Sequence, residues 1–358
     1  MYSIGTVVAA LKLKQSRSAL GGSADFDCPF CGGKGKMNVN FDNDIWRCNK
    51  CGEGGGVLQL VMKYFDYSKE DAIKFLRGNS EIKVRDPKDL PVRREEPVAP
   101  IEIRNATYRA LISILSLSDK HRNELRERGL TDRAIDFYEF RTMPDDIKKF
   151  NIARKLLDMG MTLEGVPGFY KEQNTWAINP FPQGYLIPFV NVDGMISGFQ
   201  VHNDAPDKKH GKYMSLTSRG KECGRKATLE PHLIGFSNQT EIYLTEGALK
   251  CDCAKTLEMR TKSPRHAYLA IAGVNNTFAL KEALLKLKKS GVKTICNVFD
   301  MDKCGSKTIA KNEHVEKALR KIRGIVEECG LVWRDYKWHD GTKGIDDHLF
   351  KKFKEVVK

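Results

Sequence analysis

TICNVFDMDKCGSK, residues 294–307, is the stretch that decides the fold. Ile295, Val298 and Phe299 read as a buried parallel strand, so Asp300 and Asp302 emerge at its carboxyl end, where open α/β sheets place their ligands. The chain twists as a strand ends, which lets both carboxylates reach one divalent cation. Oxygen-rich acidic clusters suit Mg²⁺ or Mn²⁺, which bind through a few carboxylates together with substrate phosphates. The alternative is a solvated strand-to-helix turn with aspartate as its cap.

The flanking sequence repeats the pattern. EIYLTEG, 241–247, is a second apolar strand ending in an acid, Glu246, before a glycine; the helix-like ALKCDCAKTLEM follows. A strand at 267–273, a helix at 278–289, the DMD strand, a helix at 306–328, a strand at 331–338 and a last helix complete the order. Strands alternating with helices of this length indicate right-handed crossovers and a parallel sheet covered on both faces. One rim of that sheet collects Glu246, Asp300 and Asp302, and KGIDDHL adds Asp346 and Asp347 after the final strand.

Residues 238–350 resemble the Toprim domain, the metal-binding fold of DnaG-type primases, topoisomerases and small nucleases. Glu246 and Gly247 resemble its Glu-Gly motif, and DMDKCG, 300–305, is similar to the primase form DGDxAG. KGIDD, 343–347, resembles the primase KDPDE, with glycine and isoleucine in place of Asp-Pro, so one carboxylate of the family pattern is absent.

Composition sets the outer bounds. A chain of 358 residues with 41% hydrophobic content is long enough for two or three cores. A formal charge of +14 points to a polyanionic partner, although many soluble proteins are equally basic. Ten unevenly spaced cysteines do not make a secreted disulfide scaffold, and a reducing cytoplasm fits better. TVVAALKLK near the amino end is too short for a signal core or a membrane span, so no membrane is expected as a partner.

Cys28-Pro-Phe-Cys31 and Cys48-Asn-Lys-Cys51 are two knuckles separated by sixteen residues, the spacing of a four-thiolate structural zinc site. A redox pair and four buried thiols are the alternatives. Gly32, Gly33, Gly35 and Gly52 supply turns, and MNVNF and IWRC read as hairpin strands of a zinc ribbon. A helix from Val57 follows, then a second starting near Ser68. This segment is similar to the zinc-binding domain of DnaG-type primases, which carries CPF, YxC and CGxGGDVIxF in that order. Cys31 stands where many bacterial relatives carry histidine, as in the all-cysteine version of some phage primases. Lys34, Lys36, Arg47 and Lys50 are candidates for template phosphates, and Trp46 either stacks on a base or packs in the ribbon core.

Residues 79–100 hold four of the thirteen prolines with mixed charge and no apolar period, which reads as a linker. Residues 101–237 are expected to form a basic α+β subdomain. Its spacing predicts one helix from Asn105 to Glu127 and a second capped by Thr131, and YLIPFVNVDGMISGF predicts two strands joined by an Asp-Gly turn. The segment from Glu127 to Phe137 resembles the family's RGLSxExIxxF, and the strand pair its RLMFPIxDxxGRVIGFGGR, with His202 where that pattern ends in arginine. KYMS, 212–215, resembles KYLNS. A basic cluster comprises Lys208, Lys209, His210, Lys212, Arg219, Lys221, Arg225 and Lys226, whose alternative reading is a solvated loop. Cys251 and Cys253, two apart on a predicted helix, face different directions and make a poor metal pair.

Nearly the whole chain therefore resembles a compact DnaG-type primase, in the order zinc ribbon (1–78), linker (79–100), basic α+β subdomain (101–237) and Toprim α/β domain (238–358). The resemblance implies synthesis of short RNA primers from ribonucleoside triphosphates on a single-stranded DNA template, by a nucleotidyltransferase in the cytoplasm of a bacterium or phage-infected host. It implies Zn²⁺ on Cys28, Cys31, Cys48 and Cys51, and Mg²⁺ or Mn²⁺ on Glu246, Asp300, Asp302 and Asp346. Lys212 would face nucleotide or template, with Lys208 and Lys209 beside it and Lys221 or Lys226 as the second family lysine. The chain stops just after KGIDDHL with no fused helicase, so a separate replicative helicase and a phage or mobile-element origin are expected. A Toprim nuclease would use the same acids, and a non-catalytic single-stranded-DNA-binding accessory protein would need none of them.

Overall fold

The computed structural model describes residues 3–20, 22–77, 97–180, 183–207, 211–236, 238–261, 266–305 and 310–357. Lys208, Lys209, His210 and nearly all of the expected linker lie outside them. The chain divides into two compact units, Met1–Glu96 and Pro97–Lys358.

Alternating burial along short strands builds the first unit. Helix α1 (Ile4–Ala10) leads into strands β1 (Gln15–Leu20), β2 (Ser23–Phe26), β3 (Met37–Asn40), β4 (Ile45–Cys48) and β5 (Gly54–Gly56), then helices α2 (Val57–Phe65) and α3 (Lys69–Leu76). The strands form one antiparallel sheet in sequence order. In β2, β3 and β4 every second residue is buried, the period of a strand with one face on a core. That core joins Ile4, Val7 and Leu11 to Met37, Val39, Trp46, Leu60 and Tyr64, so the apolar amino end is a core helix. Ser68 caps α3 as expected, accepting from the Asp71 amide.

The second unit begins with helices α4 (Ile101–Ile114), α5 (Asp119–Glu127) and α6 (Asp132–Phe137), strand β6 (Arg141–Thr142) and helix α7 (Lys149–Asp158). The single helix expected from Asn105 to Glu127 is two. Leu115 is extended and Ser118 starts a new helix, its hydroxyl accepting from the His121 amide. A serine at that position offers the backbone a cap that competes with helix continuation. Thr131 caps α6 as predicted.

Hairpin β7 (Phe169–Glu172) and β8 (Thr175–Ile178) precedes β9 (Gly184–Val190), β10 (Ile196–Asn203) and β11 (Tyr213–Ser215), which form an antiparallel sheet in the order β11-β10-β9-β6. The chain continues through β12 (His232–Ile234), β13 (Glu241–Glu246), α8 (Ala248–Arg260), β14 (Ala267–Ile271), α9 (Leu280–Lys289), β15 (Thr294–Asn297), α10 (Glu313–Glu328), β16 (Val332–Asp335) and α11 (Ile345–Val357). This second sheet has the order β12-β14-β13-β15-β16, parallel except for the edge strand β12. It is the parallel sheet expected from the alternation of strands and helices.

Two expected boundaries move. Residues 97–100 belong to the second unit, since Ala99 donates to the Gly165 carbonyl and Arg225 reaches the Pro97 carbonyl. The basic and parallel-sheet parts also share one core, in which Phe140, Tyr185, Ile187 and Phe189 pack against Ala248, Leu249 and Cys253 of α8. Cys251 and Cys253 are thus buried in apolar packing, and burial pushes the Cys253 thiol up to about 12.

Candidate active site and zinc centre

The zinc centre follows from two equivalent turns. Gly32 and Gly52 each follow the second cysteine of a knuckle with φ of 62° and 72°, a conformation glycine adopts without steric cost. Each donates its amide to the carbonyl of the first cysteine, Cys28 or Cys48. The four sulfurs lie within 4.8 Å of one another, with Cys28 to Cys51 at 3.6 Å and Cys31 to Cys48 at 3.7 Å. Four thiolates on tetrahedral zinc stand roughly 3.8 Å apart, so the donor set fits a structural Zn²⁺. The Lys50 and Cys51 amides point at the Cys48 sulfur, both at 3.4 Å. Trp46 is buried with its ring 5.2 Å from that of Phe30, so it packs in the ribbon core and is not available for stacking on a base. Lys34, Lys36, Arg47 and Lys50 are exposed.

In the second unit, parallel pairing of β13 with β15 brings their carboxyl ends together. Leu244 is in register with Asn297, and the Val298 amide donates to the Leu244 carbonyl, which carries Asp300 to the edge that holds Glu246. A short 3-10 turn over 301–303 then places Asp302 beneath the same rim. The Met301 amide donates to the Lys343 carbonyl at 2.9 Å, tying KGIDD to this turn and bringing Asp346 in on the first turn of α11. Lys303 points inward to the carbonyls of Asn297 and Tyr336, bracing the strand ends, and burial lowers its pKa to about 8.

Glu246 accepts the Val274 amide through one oxygen. Asp302 is 8% exposed, its Oδ2 lies 3.1 Å from Lys343 Nζ, and its Oδ1 is buried with no hydrogen-bond partner among the described residues. An unsatisfied buried carboxylate oxygen is costly, and a bound cation is one way to satisfy it. Carboxylate oxygens are the donors a hard divalent ion takes, and among the described residues no three of these acids bring oxygens within 4.8 Å of one another.

A cleft of about 420 Å³ joins this rim to the basic half, with Arg128, Lys212, Tyr213, Lys250, Asp300 and Asp346 in its wall. Arg128 donates to Asp346 Oδ2 at 3.1 Å and to the Tyr213 hydroxyl at 3.1 Å. Asp346 is buried, which raises its pKa, while Lys250 and Arg128 pull it back. Lys250, in the first turn of α8, donates to Asp300 Oδ1; burial disfavours its charge, but Asp300, Asp346 and Glu246 outweigh that and raise its pKa.

Of the residues expected from sequence, Lys212, Asp300 and Asp346 share this cleft, and Asp302 and Glu246 lie on the rim beside it. Lys221 does not line the cleft; its ammonium sits 3.8 Å from the centre of the Tyr170 ring. Lys226 is exposed and also absent from the wall. Arg225 is buried, bonded to the carbonyls of Pro97, Cys223 and Gly224, and serves the fold. His202 is buried between Tyr185, stacked at 4.7 Å, and Tyr213. Arg128, Tyr213 and Lys250 were not singled out by sequence. The available signal for Lys250 was its place: a cation in the first helical turn opposes the helix dipole unless acids surround it.

The CHC2 zinc finger family matches residues 4–90. The DNA primase of Lactococcus lactis is 26% identical over 335 residues, covering 89% of this chain and 49% of that primase. The DNA primase of Clostridium acetobutylicum is 24% identical over 342 residues, covering 92% of this chain and 52% of the relative. The crystal structure of the Aquifex aeolicus primase, comprising zinc-binding and RNA polymerase domains, superposes with a TM-score of 0.52 at 17% identity, covering 99% of this chain and 81% of that one. The chain is thus similar in sequence to DNA primases. The RNA polymerase domain of Mycobacterium tuberculosis DnaG, solved with a double-stranded DNA oligomer, matches 73% of this chain and 81% of its own at a TM-score of 0.50 and 15% identity. At these identities the two structures speak to fold. The chain spans about half the length of the DNA primases it matches in sequence.

Proposed function

We propose that this chain is a DNA primase, joining ribonucleoside triphosphates on a single-stranded DNA template. The observation that carries the reading is the cleft in which Lys212 and Arg128 of the basic half face Asp300 and Asp346 at the rim of the parallel sheet. Phosphoryl transfer asks little covalent chemistry of a protein, and positioning and charge do most of the work. Mg²⁺ or Mn²⁺ at the rim that Glu246, Asp300, Asp302 and Asp346 form would neutralise the triphosphate and favour the attacking 3′-hydroxyl. Lys212, exposed on the opposite wall, takes triphosphate or template phosphate. Arg128 holds Asp346 and Tyr213 in place. Lys343, its ammonium 3.1 Å from Asp302 on a side chain 55% exposed, is free to turn toward a phosphate.

The zinc ribbon presents Lys34, Lys36, Arg47 and Lys50 to template phosphates. A separate helicase partner belongs to the same reading. Incubation with single-stranded DNA, Mg²⁺ or Mn²⁺ and labelled ribonucleoside triphosphates, with products sized on a gel, tests it. Short labelled RNA is expected. Shortened DNA without any need for triphosphates would make the protein a nuclease, and neither product would leave a DNA-binding accessory.

A further inference from the structure

Lys250 occupies the acidic rim in a way that the motifs around it do not explain. Its side chain is 16% exposed, it projects from the first turn of α8, and its ammonium rests on Asp300 Oδ1. Lys343 also faces Asp300 and Asp302, but it sits in a loop with its side chain 55% exposed and can leave. Lys250 is anchored on a helix turn whose neighbours Ala248, Leu249 and Cys251 are buried, and its side chain is far more covered than that of Lys343.

Gly344 makes room for Asp346 beside it. A Cβ at that position would stand 2.5 Å from Asp346 Oδ1, 3.2 Å from Asp347 Oδ2 and 3.6 Å from Lys250 Cε. A larger side chain would push into Asp346, while Lys250 stands at ordinary contact distance, so the glycine that replaces an acid in KGIDD leaves space for the Asp346 carboxylate beside the lysine. Asp346 is in turn engaged by Arg128. Asp300 and Asp346 are thereby each matched by a fixed cation, Asp347 accepts the Gly344 amide at 3.2 Å, and Glu246 and Asp302, the latter facing only the exposed Lys343, are left to suit one divalent ion. The unsatisfied oxygen, Asp302 Oδ1, marks where that charge is missing.

We infer that the rim binds a single divalent ion, on the side of Asp302 and Glu246, and that Lys250 is a built-in cation standing where a second ion would otherwise be held. The inference rests on the metal-dependent reading above. Two unit charges a few ångströms apart interact strongly in a partly buried site, so a fixed ammonium repels a second ion by far more than thermal energy.

The test counts Mn²⁺ in saturable sites on the zinc-loaded full chain by electron paramagnetic resonance and calorimetry. Wild type is expected to bind one ion, Asp302→Asn none, and Lys250→Gln two, the second at least roughly tenfold tighter than any second ion on wild type. Lys250→Arg, which keeps the charge, should stay at one. Two saturable ions on wild type, or an unchanged count in a folded Lys250→Gln protein, would overturn the inference. No bound Mn²⁺ on wild type would instead remove the metal reading of the rim itself. If Lys250→Gln fails to fold, the wild-type count decides: one supports the inference, two refutes it.

Discussion

Arg128 and Asp346 are 218 residues apart in sequence, and the hydrogen bond between them explains which site residues could be read in advance. Acids at the ends of apolar strands announce themselves locally, so the placement of Glu246, Asp300 and Asp302 at one sheet rim was legible. Cations that matter only because another segment brings them a partner were not, and Arg128 and Lys250 are of that kind. His202 gives a test at this scale. Burial, with Lys212 and Arg128 nearby, holds its pKa down at about 4, against an unfolded value near 6.5. The unfolded chain therefore binds the extra proton between those values, and stability falls as pH falls through that window by up to about 1.4 kcal/mol per unit. His202→Gln should flatten that part of the acid dependence in urea unfolding at the two ends of the window. An equally steep loss in the variant would assign it to other groups.

The strands of the parallel sheet read at 241–247, 267–273 and 331–338 lie within a few residues of β13, β14 and β16, because their period is set by burial, whereas the short strands β1, β2, β7 and β8 were not read. The long helix was misread, because Ser118 ends one and begins another for reasons of local hydrogen bonding that apolar spacing does not register. Arg104 in α4 illustrates what binds elements once formed. Buried, it reaches the carbonyls of Ala99, Ser197 and Thr228 and Glu230 Oε1, joining α4 to β10 and to the segment before β12. Arg104→Ala leaves those acceptors unpaired and should cost roughly 3 kcal/mol, read as a lowered urea midpoint with zinc content unchanged. A cost within error would show that water replaces the guanidinium. In the ribbon, losing one thiolate should unfold a small unit whose folding free energy comes largely from zinc. Cys48→Ser should therefore release zinc and abolish de novo dinucleotide formation while sparing extension of a supplied RNA primer. Equal loss of both would place the ribbon within the catalytic machinery.

At the level of the whole molecule, the division into a ribbon unit and a larger unit was legible from composition, because a stretch rich in proline and charge cannot build a core. The shared core that fuses the basic and parallel-sheet parts was not, since it depends on α8 packing against β9. That fusion is what lets Lys212 face Asp300 and Asp346 across one cleft. The net charge of +14 predicts that single-stranded DNA binding weakens with salt by about 0.7 logarithmic units per phosphate contacted, and that Lys212→Ala lowers the slope by about one contact. A salt-independent dissociation constant would reduce the charge to a solubility feature. The central claim is that the acidic rim makes RNA bonds, and it is tested most directly by primer synthesis from labelled ribonucleoside triphosphates on single-stranded DNA, comparing wild type with Asp302→Asn at matched zinc content and fold. The account predicts short labelled RNA from wild type and a loss of about a hundredfold or more in the variant; near-equal synthesis by the two proteins would contradict it.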